Sequence, residues 1–193
     1  MSILRSFYDW TLRQAEKPYA VTLLFVVAFF EPCLFPLPPD TLLIPIALAD
    51  RRNAMRNAAF ATLGSVCGAI VGYSIGALFM KTIGAAIVST YHLEAAFDHF
   101  HHAFNRWGMW IILAKGLTPI PFILVTIASG VAQLNLAVFI VSAAITRGAR
   151  FFFEAWLIRR YGEPVRHFIE RHLTWVALAV LAAFLFGFWI VLR

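Results

Sequence analysis

The sequence predicts an all-α integral membrane protein, built as an inverted repeat of a re-entrant hairpin plus transmembrane helix, with an N-terminal interfacial helix and a C-terminal transmembrane helix. Three observations carry that prediction. Of 193 residues, 61% are hydrophobic and only 13% charged, whereas a soluble domain carries charge at about a quarter of its positions; a surface so poor in charge must face lipid. Two of the longest apolar stretches are interrupted by clustered prolines. The basic residues, finally, divide most unevenly between the two membrane sides when those stretches turn back rather than cross.

The elements follow in chain order. Within residues 1–18, Arg5, Asp9, Arg13, Glu16 and Lys17 make the segment too charged for the apolar core of a signal peptide. Ile3, Leu4, Phe7 and Trp10 share one helical face, so the segment reads as a helix lying in the cytoplasmic interface. Apolar stretches then cover 19–49, 57–80, 107–133, 135–158 and 173–192. A simple span needs about 20 residues, and the second, fourth and fifth have that length. The first is broken by Glu31-Pro-Cys-Leu-Phe-Pro-Leu-Pro-Pro-Asp40, the third by Lys115-Gly-Leu-Thr-Pro-Ile-Pro121. Prolines at that density exclude a continuous helix. Non-helical backbone at membrane depth is tolerated only where protein or water covers it.

Charge placement chooses between crossing and turning back. With both broken stretches re-entrant and the N-terminus inside, Arg5, Arg13, Lys17, Arg51, Arg52, Arg56, Arg159, Arg160, Arg166 and Arg171 are cytoplasmic, against Lys81, Arg106 and Arg193 outside. If both stretches cross, the Arg51, Arg52 and Arg56 cluster moves outside, so the positive-inside tendency favours re-entry. A gapless shift of 78 residues places Asp40 on Thr118, Asn57 on Asn135, Lys81 on Arg159 and Gly84 on Gly162. Paired interruptions at matching positions mark the binding site of an inverted-repeat transporter. The expected organisation is one membrane domain: interfacial helix 1–18, first repeat 19–84, amphipathic linker 85–106, second repeat 107–162 and C-terminal helix 163–193.

Six ionisable residues fall inside apolar stretches: Glu31, Asp40, Lys115, Arg147, Arg150 and Glu154. Each alone would cost about 2.5–3.5 kcal/mol at a helix centre on insertion scales, so they must pair, neutralise or line a wet cavity. Asp40 either caps the arm that follows it or serves the site, or both. Thr118 and Pro119 read as the matching start of the second arm. Arg150 and Glu154 have the spacing of a plain helical ion pair, with Arg147 on the same face. Lys115 lies too deep to snorkel, and Glu31 has no basic neighbour in sequence. Helix arms that start at mid-depth aim their positive ends inward. Together with Lys115, Arg147 and Arg150 they would receive an anion, phosphate being suited to arginine. Glu31 and Asp40 would balance the empty site and exchange a proton.

Weaker signals complete the reading. Gly64, Gly68, Gly72 and Gly76 form a smooth ridge for close helix contact, expected to leave room for the arginines of the second repeat. Cys33 and Cys67 read as small core residues. His92, His99 and His102 share a helical face, with Glu94 and Asp98 between. An interfacial helix with Tyr91, Phe97, Phe100 and Phe104 in lipid is preferred there over a metal site. No metal or cofactor is expected. The formal charge of +6 suggests anionic lipid rather than nucleic acid as partner. No nucleophile elbow, P-loop or paired-histidine zinc motif occurs, so an enzyme is not expected.

Several motifs together resemble the DedA family, also called the VTT or SNARE-associated Golgi family, and within it the YqaA-like branch. They are Glu31-Pro-x-x-x-Pro-x-Pro-x-Asp40, Gly72-Tyr73-x-x-Gly76, Arg106-Trp107-Gly108, Lys115-Gly-Leu-Thr-Pro-Ile-Pro121 and Arg147-Gly-x-Arg150-Phe. The resemblance implies a bacterial inner-membrane protein with two re-entrant hairpins, moving phospholipids or polyprenyl-phosphate carriers, linked in some members to the proton gradient. It also implies that Glu31 and Asp40 match the family's essential acidic pair. Lys115 stands where typical members have the first arginine of Arg-Phe-x-Pro-x-x-Arg. The second arginine is absent, Pro121 and Phe122 being nearest, and Arg147 and Arg150 are expected to supply its charge. The expected transport site is thus Glu31, Asp40, Lys115, Thr118, Arg147 and Arg150, supported by Glu154, Gly72, Tyr73, Pro36, Pro119 and Pro121. A small-cation/proton antiporter and a membrane lipid-phosphate enzyme remain the alternatives, and a homodimer is left open.

Overall fold

The computed structural model describes residues 17, 19–34, 38–116, 121–162 and 164. Apart from Lys17, the expected interfacial helix lies outside these residues, as do the expected C-terminal span and Pro36, Thr118 and Pro119. All regular structure among the described residues is helical: α1 (Ala20–Phe30), α2 (Asp40–Ala49), α3 (Ala54–Thr90), α4 (Glu94–Gly116), α5 (Phe122–Val131) and α6 (Leu136–Gly162).

Length separates these helices into two kinds. α3 and α6, with 37 and 27 residues, are long and apolar enough to cross a membrane. α1, α2 and α5, with 11, 10 and 10 residues, are apolar but too short to cross alone. Proline accounts for the short ones. Pro32 follows the last residue of α1 by two, Pro38 and Pro39 precede α2, and Pro121 precedes α5 with φ −54° and ψ 127°. None of them has an amide hydrogen for the helical ladder.

α3 is the organising element, and its glycine ridge takes the backbone of two neighbours. A Cβ at Gly64 or Gly68 would press on the carbonyl of Phe25 or Phe29 of α1, one at Gly72 on the Pro32 carbonyl, and one at Gly76 on the Ile127 carbonyl of α5. Gly130 of α5 meets the Tyr73 carbonyl in the same way. The ridge therefore does not hold arginines, as the sequence suggested. Glycine lets two backbones close up, and that leaves no space there for a long side chain. The register also sets direction. Phe25, Phe29 and Pro32 advance as Gly64, Gly68 and Gly72 advance, so α1 and α3 run the same way. The end of α5 lies beside the middle of α4: Asn105 Nδ2 donates to the Ala132 carbonyl at 3.4 Å, and Gly108 faces the Leu134 side chain.

Two apolar clusters fill the interior. One joins α1, α2 and the start of α3 to Phe151, Ala155 and Ile158 of α6. The other joins Ala69 of α3 and Ile112 of α4 to Phe122 and Val125 of α5 and to Phe139 and Ala143 of α6. Along α6, Arg147 falls between the residues that serve the two clusters.

Several expectations are corrected. The boundary drawn after Gly84 falls inside α3, which takes a π turn at Met80–Gly84 and continues to Thr90. α4 then carries the expected linker into the third apolar stretch without a break. Cys33 is buried, but Cys67 is exposed, on the side of α3 away from the glycine ridge. Phe104 is buried against the protein rather than dipped into lipid, while Phe97 and Phe100 are half-buried. The gapless pairing of Asn57 with Asn135 joins unlike positions. Asn57 is buried one turn inside α3, whereas Asn135 precedes α6 and accepts from the amides of Ala137 and Val138 at 3.0 and 3.2 Å. The residue one step before α3 is Asn53, as Asn135 is one step before α6.

Candidate functional site

Glu31 stands just past the last turn of α1, its amide donating to the Val27 carbonyl at 3.1 Å. The C-terminal end of a helix repels a carboxylate, so a buried glutamate there needs donors from elsewhere. Three other helices supply or position them. Arg147 of α6 donates from Nη2 to Glu31 Oε2 at 2.7 Å and from Nε to Ser65 Oγ of α3 at 2.7 Å. The amide of Phe122 donates to Glu31 Oε1 at 3.3 Å. That amide opens α5 and has no acceptor within its own helix. The rings of Phe122 and Phe151 lie 4.9 and 4.7 Å from the guanidinium carbon, close enough for cation–π attraction. The Arg147 and Glu31 side chains are 3% and 8% exposed, so this pair is sealed from solvent.

A second group sits beside it and is more open. Asp40 is the first residue of α2, but the position before the helix is Pro39 and no side chain caps it. The expected capping role is not taken. Instead Arg150 Nη2 donates to Asp40 Oδ2, because α6 brings a stronger, charged donor to the same carboxylate. Arg150 Nε also donates to Glu154 Oε1 at 3.4 Å, so the plain helical pair is present as one half of a triad. The Arg150, Asp40 and Glu154 side chains are 32%, 17% and 23% exposed. Asp40 Oδ1, Glu154 Oε2 and Thr146 Oγ1 are buried without a hydrogen-bond partner among the described residues. Three carboxylates thus face two guanidinium groups.

The break after α1 is held by a residue the sequence reading missed. In a continuing helix the Pro32 carbonyl would accept from residue 36, which is proline and has no N–H. Thr126 of α5 fills that role, its hydroxyl lying 2.6 Å from the Pro32 carbonyl. Gly72 leaves room for this contact, since a Cβ there would crowd both groups. Tyr73 points elsewhere: its hydroxyl donates to the Leu134 carbonyl at 2.6 Å, and its ring lies 5.1 Å from that of Phe139. It braces the turn between α5 and α6 rather than the charged centre. Pro121 is buried directly before the Phe122 amide. Lys115 belongs to α4, with its side chain outside the description. Ser65 and Thr126 carried one usable signal, a hydroxyl inside an apolar helix; the Phe122 amide carried none.

The histidines are not gathered. His92 occupies the turn between α3 and α4 with φ 52°, His99 and His102 are exposed, and His101 packs beside Asn105. Among the described residues no group of three His, Cys, Asp or Glu side chains could hold a metal ion.

Two apolar helices of membrane length, with one sealed ion pair and a partly open charged triad between them and the short helices, define a helical membrane protein. The VTT domain profile matches residues 17–160, and the chain belongs to that family, the DedA family. It is 32% identical over 191 residues to an uncharacterized protein of Haemophilus influenzae, covering 96% of this chain and 98% of the relative. It is also 32% identical over 177 residues to an uncharacterized protein of Histophilus somni, covering 88% and 91%. No solved structure matches the chain.

Proposed function

We propose that this protein is a transporter, not an enzyme, that moves a phospholipid or polyprenyl-phosphate carrier across the bacterial inner membrane with a proton as the coupling ion. The observation that carries the reading is the Asp40–Arg150–Glu154 triad. It is partly open, lies next to a sealed ion pair, and joins the start of a short helix to a membrane-length one. A lipid phosphate competing with Asp40 for Arg150 would release a carboxylate, which then takes up a proton. Charge is conserved as cargo arrives.

The contacts also support re-entrant topology. α1 and α3 run the same way, and α2 enters α3 through the short turn at residues 50–53. A chain with that register reverses between α1 and α2, which favours a hairpin at Glu31–Asp40 over a broken span. The end of α5 beside the middle of α4 favours a second hairpin around residues 117–121. On this reading the N-terminus is cytoplasmic and the two repeats are inverted.

A small-cation/proton antiporter is the second reading, favoured by the two carboxylate oxygens of the triad that have no hydrogen-bond partner among the described residues. Purified protein in liposomes separates the two. Leaflet exchange of fluorescent glycerophospholipid and polyprenyl-phosphate probes is followed for the wild type and for folded Asp40→Asn and Arg150→Gln variants. Accelerated exchange that both substitutions abolish is the expected result. Unaccelerated probes at every pH and gradient, with cation-driven proton flux in the same vesicles, would overturn lipid transport in favour of the antiporter. Phosphate release from lipid in detergent would overturn the non-enzymatic reading.

A further inference from the structure

Basic residues from opposite halves of the chain meet at one end of the molecule. Arg51, in the turn between α2 and α3, packs so closely on Gly162 of α6 that a Cβ at Gly162 would collide with its guanidinium. Beneath this contact Leu48, Ala54 and Ala58 share an apolar cluster with Ala155 and Ile158. The start of α3 and the end of α6 are therefore neighbours. Arg52, Arg56, Arg159 and Arg160 flank the junction and are exposed. The hydrophobic effect brings the two helix ends together, and four like charges come with it.

Among the described residues Asp50 is the acid nearest Arg52 and Arg56 in the chain, and its carboxylate is committed to the turn. Asp50 already accepts from the amides of Arg52 and Asn53 at 3.1 and 3.3 Å and from Asn53 Nδ2 at 2.7 Å. Arg56 and Arg160 lean on the rings of Phe60 and Tyr161, 5.7 and 5.9 Å away. Among the described residues none of the four forms an ion pair. The same end of α6 exposes an aromatic run, Phe153 against Trp156 at 6.2 Å and Trp156 against Tyr161 at 6.5 Å. Tryptophan and tyrosine at the ends of apolar helices mark the headgroup level of a bilayer, where phosphates lie and arginine can bind them in bidentate fashion.

We infer that this basic junction is a binding site for an anionic phospholipid headgroup of the surrounding leaflet, separate from the triad and its cargo. The apolar aromatic run beside the arginines suits a phosphate with acyl chains attached better than a soluble anion. Its occupation ties α3 to α6 by charge and so holds α6, which carries Arg150, against α2, which carries Asp40.

Thermal unfolding of the purified full chain in detergent tests the site without any transport readout. Added phosphatidylglycerol raises the unfolding midpoint by several degrees, as any ligand specific to the folded state does. Phosphatidylcholine and soluble glycerol phosphate do not. The paired variants Arg52→Gln/Arg56→Gln and Arg159→Gln/Arg160→Gln each lose about half of that rise, and the fourfold variant loses it all. Should the fourfold variant not fold, either pair decides alone, because an undiminished rise in it overturns the site. Equal rises with phosphatidylcholine or glycerol phosphate overturn it as well.

Discussion

Arg147 and Arg150 are three residues apart on one helix and work in different surroundings. Arg147 is sealed between Glu31, Ser65 and two aromatic rings. Removing one partner of such a pair leaves a buried charge and costs about 3–5 kcal/mol. Arg147→Ala is accordingly expected to lower the unfolding midpoint sharply in detergent, and adding Glu31→Gln should recover part of the loss. Arg150 is partly open, so Arg150→Gln should cost less stability and more activity. Asp50 yields a pH prediction. The hydrogen bond from the Asn53 side chain, then that from its amide, hold the Asp50 carboxyl below its ordinary value of 3.8. A folded-state value below the unfolded one means the contribution is complete above the unfolded value and is lost as pH falls through the folded one. Unfolding midpoints measured from about pH 5 down to about pH 2 should fall less steeply for Asp50→Asn than for the wild type. At this scale the charged residues were legible, because charge in an apolar stretch stands out. Their partners were not: Glu31 and Arg147 are 116 residues apart.

Glycine substitutions show how helix context sets the sign of one chemical change. At Gly68 an added methyl falls on the Phe29 carbonyl, so α1 must be pushed off α3. Gly68→Ala should cost about 1–3 kcal/mol, as overpacking does. At Gly148 the nearest atoms are Thr62 Cγ2 at 3.7 Å and Phe152 Cδ2 at 4.0 Å, ordinary contact distances. Gly148→Ala should therefore stabilise α6 by about 0.5–1 kcal/mol through helix propensity. Parallel melting curves of the two variants should shift in opposite directions. Tyr73→Phe removes the hydrogen bond to Leu134, worth about 0.5–1.5 kcal/mol. The ridge itself was readable from its spacing of four. What it touches was not, since glycine accepts a backbone or a side chain equally well.

The arrangement of the whole chain is open to a test of sidedness. Single cysteines at positions 17, 52 and 92, in a chain lacking Cys33 and Cys67, are exposed to a membrane-impermeant thiol reagent on intact and on opened vesicles. The hairpin reading expects positions 17 and 52 to react from one side and 92 from the other, because α3 alone crosses between 52 and 92. Reaction of 17 and 52 from opposite sides would replace the first hairpin by a broken span. The proposed repeat does not run in a gapless register. A shift of 78 residues joins Asn57 to Asn135, whereas the residue that precedes α3 as Asn135 precedes α6 is Asn53.

Composition and proline placement were enough to predict a helical membrane chain and its interrupted stretches, while specific motif residues carried the family resemblance. Hydrophobicity and the missing proline amide act within a few residues of where they are written. Which carboxylate meets which guanidinium depended on helices far apart in sequence packing through backbone contacts that no side-chain pattern records. The Phe122 amide on Glu31, the Thr126 hydroxyl on the Pro32 carbonyl and the meeting of Arg51 with Gly162 exist only after that packing. Each joins parts of the chain whose separation carries no local signal.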